Sequence, residues 1–205
     1  MKKFLLLSSI LLIITNSITA QLGVRAYHYR PTGSYGAIFK PTFSAEAGFI
    51  KPFEDRYVRP VAMLTILNMT PRMAEFPITG EIDGNGLTVY PGTQSFQRFI
   101  MLQGHLGIDA AFLKKEKLNI FVGTSLIVGW AFVHYSIKIP GMREEEGYVS
   151  GQELGLQFRL GAEYQLTEEI GLFMTANRNY FLMISEDVGG NYWANDYGLG
   201  VTYQF

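Results

Sequence analysis

The 205-residue chain has no cysteine, so disulfides, thiolate chemistry and cysteine-based metal sites are excluded. Its histidines, His28, His105 and His134, are dispersed, without the His-x-x-x-His spacing that would suggest a metal centre. Lys and Arg (17) nearly balance Asp and Glu (18), so no basic excess points to nucleic acid. No glycine-rich loop leads from a strand into a helix, which leaves nucleotide phosphates without a cradle. Beyond the first twenty residues, no apolar run reaches the roughly eighteen that a helical membrane span needs. Neither a cofactor nor a metal is indicated.

The first segment with a clear pattern is the N-terminus. Lys2 and Lys3 precede an apolar stretch from Phe4 to Ile14, and small Ala20 follows. This reads as a secretory signal peptide over residues 1–20, cleaved before Gln21. The stretch is about half the roughly twenty residues of a spanning helix. Residues 21–205 then form one domain. Without Lys2 and Lys3, this domain is slightly more acidic than the formal −1 of the whole chain.

Glycine is abundant, at 22 residues, and aromatics make up 14% of the chain. Both fall into a period-two pattern, the signature of strands. Eight segments carry it, at about 21–30, 41–51, 57–68, 100–112, 118–135, 154–164, 170–181 and 194–205. In the sixth, Leu154, Leu156, Phe158, Leu160, Ala162 and Tyr164 oppose Glu153, Gly155, Gln157, Arg159, Gly161 and Glu163. In the last, Tyr197, Leu199, Val201, Tyr203 and Phe205 oppose Gly198, Gly200, Thr202 and Gln204. The third is the least distinct, because Ala62-Met-Leu-Thr-Ile-Leu67 is apolar on both faces. In these segments the large apolar residues occupy one face, while glycine and charges share the other. A small barrel in lipid has that arrangement, apolar outward with a tight polar interior. The expected fold class is all-β: an eight-stranded antiparallel up-and-down transmembrane β-barrel with short periplasmic turns and longer outer loops. Pro52–Arg56, Lys114–Lys117 and Thr167–Glu169 supply the short turns. The link from about 69 to 96, with Ile78–Ile82 and Leu87–Tyr90 around Asp83-Gly-Asn-Gly86, predicts a small hairpin above the membrane.

The chain resembles the OmpA/OmpX-like outer membrane protein beta-barrel domain group of Gram-negative bacteria. The resemblance is carried by Gln21-Leu-Gly-Val-Arg-Ala26 and by Tyr197-Gly-Leu-Gly-Val-Thr-Tyr-Gln-Phe205. It implies a monomeric barrel in the cell outer membrane, surrounded by outer-membrane lipid. It also implies insertion by the outer-membrane assembly machinery, which reads the terminal strand. Such a likeness carries fold further than function.

Three functional readings follow. In the first, a non-enzymatic barrel has a structural or surface-interaction role, with loops 69–96 and 136–149 meeting a surface ligand. In the second, the lumen is a narrow pore. Inward Arg25, Glu46, Asp109 and Arg159 are expected in one layer, with His105, Asn177 and Asp196 in a second layer above. Since buried charges must pair, these groups suit a plug better than a pore. In the third, His134 and Ser136, expected to face outward, act as a base and nucleophile resembling the dyad of lipid A deacylase barrels. Glu144, Glu145 or Glu146 would orient the histidine. That family has Asn after the serine, where this chain has Ile137.

Overall fold

The computed structural model describes residues 21–53, 57–81, 89–183 and 191–205. The expected signal peptide, the centre of the hairpin turn and part of the Pro52–Arg56 turn lie outside the described residues. The strands are β1 (Gln21–Thr32), β2 (Thr42–Ile50), β3 (Val58–Asn68), β4 (Phe76–Glu81), β5 (Val89–Lys114), β6 (Leu118–Lys138), β7 (Glu145–Gln165), β8 (Ile170–Met183) and β9 (Tyr192–Gln204). A short helix, α1 (Gly33–Ile38), follows β1.

Every pairing is antiparallel, and β1 pairs with both β2 and β9, while β3 pairs with β5. The sheet therefore closes into an eight-stranded barrel, and β4 lies outside the ring on the upper part of β5. Closure removes the edges that would otherwise expose unpaired backbone groups in lipid. One end carries Gln21, Phe205 and the short turns, and will be called the turn end; the opposite is the loop end.

The faces follow the alternation. Leu106, Ile108, Val122, Leu156, Phe158 and Leu199 point outward and are exposed. Arg25, Glu46, Gln103, Asp109, Gln157 and Arg159 point inward and are buried. Phe49, Phe112, Tyr164, Tyr203 and Phe205 form an exposed aromatic girdle at the turn end. Interior glycines make room for charged groups. Gly123 faces Asp109 and Gly129 faces Glu153 in register, and each carboxylate lies where a Cβ would stand.

Three sequence expectations need correction. First, strand enters the expected loops: among the described residues, the hairpin of the 69–96 link runs over 76–81 and 89–96, and the ends of β6 and β7 extend into 136–149. The hairpin is present as β4 on β5, with Glu81 opposite Val89. Second, β5 begins at Val89, well before the expected Ile100. A bulge between Phe96 and Arg98 breaks its alternation and hides the continuity. Third, the interior is polar only over part of its height. Toward the loop end it is filled by Leu67, Phe99, Met101, Ile127, Phe181 and their apolar neighbours.

Beyond the ring, β4, β5, β6 and β7 continue as a wall. β5 leaves β3 at Ile100, β7 meets β8 only from Glu153, and β6 stays paired with β7 up to Ile137–Glu145. The roughly ten residues of β5 above Ile100 correspond to about 33 Å of extended chain.

Candidate functional site

The lumen holds the densest chemistry. Arg25 donates from Nη2 to Glu46 at 3.0 Å and lies 3.1 Å from Asp196, and it also donates to the Thr175 hydroxyl. Arg159 meets Asp109 at 2.8 Å and donates to Gln157 at 2.6 Å. Arg59 reaches the same Asp109 at 3.2 Å and Glu163 at 2.5 Å. The four expected residues are thus brought together as two chains of pairs, Glu46–Arg25–Asp196 and Arg159–Asp109–Arg59–Glu163.

The expected second layer is not separate from the first. Asp196 bonds Arg25 directly, and Asn177 and Asn179 donate to its two oxygens at 2.7 and 2.8 Å. Counting residues along single strands ignores the stagger between neighbours that closes a barrel, and this places Asp196 beside Arg25. His105 is buried in this region, and neither ring nitrogen has a hydrogen-bond partner among the described residues. Sequence reasoning missed Arg59, because β3 is apolar on both faces and its alternation gives no direction. Glu163 was on the inward face but was not joined to the network.

Phe53 seals the turn end. It is buried, its ring lies 4.1 Å from the Arg59 guanidinium, and it packs against Phe121. The charged sequence around it gave no sign of this. At the loop end, α1 folds across the mouth. Tyr35 stacks on Tyr192 at 4.0 Å, and Phe39 packs on Phe99 at 4.7 Å. The link after β3 clamps this cap, since Arg72 donates from its backbone to Ile38 and from its side chain to Gly36. Below the cap, Glu153 accepts from the Gln103 amide at 2.5 Å and from the Tyr192 hydroxyl at 2.9 Å. Unlike the four carboxylates beneath it, Glu153 has no arginine partner among the described residues.

His134 faces outward, as expected, and stacks on exposed Tyr148 at 4.1 Å. Its Nε2 lies 3.4 Å from Glu146. Ser136 shares that outward parity but is only 3% exposed, and its hydroxyl pairs with Ser95 at 2.8 Å. No hydrogen bond among the described residues joins Ser136 to His134. Glu146 is thus the carboxylate that reaches the histidine, while Ser136 is held elsewhere and shielded. Among the described residues, no three His, Asp or Glu side chains could hold a metal ion.

The closed ring, outward apolar face and filled lumen define the small outer-membrane β-barrel fold. Solved structures agree. Neisserial surface protein A superposes with a TM-score of 0.58 at 16% identity, covering 91% of this chain and 97% of that one. A major outer membrane protein from Thermus thermophilus gives 0.52 at 12% identity, covering 91% of this chain and 99% of that one. At such identities the likeness establishes the fold. No protein-family model and no curated protein matches the sequence.

Proposed function

We propose that this chain is a non-enzymatic protein of a bacterial outer membrane, acting through the wall that β4 to β7 raise beyond the ring. The observation that carries this reading is the contrast between a filled bore and a projecting sheet. Phe53, the ion-pair chains and the α1 cap obstruct passage, whereas Tyr148 on the wall is 77% exposed. An eight-stranded bore is just wide enough for side chains to fill. A surface ligand would therefore meet the wall, where the sequence suggested loops 69–96 and 136–149. The barrel works as a monomer, and β9, followed by exposed Phe205, engages the assembly machinery.

The absence of native cysteine makes a direct test available. Tyr148→Cys should react with a membrane-impermeant maleimide on intact cells, whereas Lys117→Cys should react only after permeabilisation. The reverse pattern, or labelling of neither, would remove the surface reading.

The deacylase reading keeps one supporting observation, the contact between His134 and Glu146. It requires Ser136 to leave Ser95 and become exposed. Release of fatty acid by the purified protein from an acylated glycolipid, lost in Ser136→Ala, would establish it.

A further inference from the structure

We propose that the outward face of β1, β9, β8 and β7 binds an acylated sugar lipid bearing a phosphate monoester. This rests on the outer-membrane placement proposed above. Arg30, Asn195 and Arg178 lie in one row across β1, β9 and β8. Both arginines are exposed on the lipid-facing side. Arg178 donates from Nη1 to Asn195 at 2.9 Å, and its guanidinium sits 4.7 Å from the Trp193 ring. Neither arginine has a carboxylate partner among the described residues.

The position is unusual for bare cations. Along β8, Ala176 precedes Arg178 on the same face, and Tyr180 and Leu182 follow it. Along β9, Tyr197 and Leu199 lie on the turn-end side of Asn195, and Trp193 on the other. Arg30 is the tenth residue from the turn end of its strand. With a tilt near 40°, that is about 23 Å along the barrel axis, close to the full height of the ~25 Å apolar band. Cations at this height reach the headgroup layer, where an anion carried by the lipid is within their range.

Beneath Arg178 and Asn195 is an apolar groove of about 600 Å³ on β7, β8 and β9, lined by Leu160, Ala162, Met174, Ala176, Tyr197 and Leu199. Ala176 lies two residues below Arg178, and Tyr197 two below Asn195, so the groove runs up to Arg178, with Arg30 one strand beyond Asn195. An acyl chain fits the groove while its headgroup meets the arginines.

Charge selects the headgroup. Two guanidiniums, about 10 Å apart at the backbone, match the roughly −1.5 to −2 of a phosphate monoester. A phosphodiester carries a single negative charge. Arginine forks also suit phosphate geometry. Just above, Trp193 and Tyr180 pack at 4.6 Å and offer aromatic surface to the apolar face of a sugar ring.

The test uses the full mature barrel refolded in detergent, mixed with monophosphorylated lipid A, phosphatidic acid or phosphatidylglycerol, and analysed by native mass spectrometry. The parent should retain the monophosphorylated glycolipid at least tenfold better than either phospholipid. Arg30→Ala/Arg178→Ala should lose at least tenfold of that retention. Ala176→Trp, which fills the groove and leaves the arginines in place, should lose as much. Equal retention of a phospholipid, or unchanged retention in either variant, overturns the proposal. Heat-modifiable migration is recorded for every sample. A parent that lacks the compact barrel form would defeat the outer-membrane reading, whereas a compact parent that retains no glycolipid defeats only this one.

Discussion

The two halves of the lumen are built by different chemistry. Toward the turn end, Arg25, Arg59 and Arg159 are interleaved with Glu46, Asp109, Glu163 and Asp196. Toward the loop end, Phe99, Met101, Ile127 and Phe181 pack with Tyr35 and Phe39 of the cap in an apolar core. Both fill the same bore, but they hold it in different ways. A buried ion pair adds little net stability over apolar packing, yet breaking one is expensive because a charge is left unpaired. An apolar core loses transfer and packing energy in proportion to the volume removed. The charged half therefore tolerates exchange of whole pairs better than loss of one member. The apolar half tolerates changes of shape at conserved volume.

The largest expected effect tests the charged half. Arg59→Ala leaves both Asp109 and Glu163 short of a partner and should cost about 5 kcal/mol, the upper end for a broken buried pair. Urea titration of the barrel refolded in bilayers measures it. In the apolar half, Phe99→Ala opens a cavity beneath the α1 cap and should cost about 3 kcal/mol in the same assay. If Phe99→Ala cost more than Arg59→Ala, the division of the lumen would be wrong.

Outside the bore, Leu156→Arg places a charge on the lipid-facing side and should cost about 2 kcal/mol, less as the site nears the interface. Gln157 provides no inexpensive inward control, because its side chain already accepts from Arg159. A second guanidinium there would repel the first. The smallest effect is expected on the wall, where His134→Ala should change stability by no more than about 0.5 kcal/mol, as for a surface contact.

The same contrast explains what the sequence made legible. Where inward charges alternate with outward Leu, Val and Phe, as from Glu153 to Tyr164, period two reveals both the strand and its face. Arg25, Glu46, Asp109 and Arg159 could be found for that reason. On β3, inward Val61, Met63 and Leu67 are as apolar as outward Leu64 and Ile66, and the signal disappears. Arg59 was lost with it. Tyr35, Phe39 and Phe53 lie in links, and their burial depends on how the ring closes, which no local period encodes. At the wall, the bulge between Phe96 and Arg98 shifts the alternation, so the period shows a hairpin near 78–90 but not that its second strand runs on into β5. The His134–Ser136 spacing was visible, but Ser95, forty-one positions before Ser136, determines where that hydroxyl points.

On the proposed reading, these two kinds of packing together close the bore. Single-channel recording in planar bilayers tests it most directly, with the parent beside a Tyr35→Ala/Phe39→Ala variant that removes the cap aromatics. No sustained current is expected in either, because the ion-pair chains and Phe53 still fill the turn-end half. A steady current through the parent, altered in ion selectivity by Arg159→Ala without loss of stability, would contradict it.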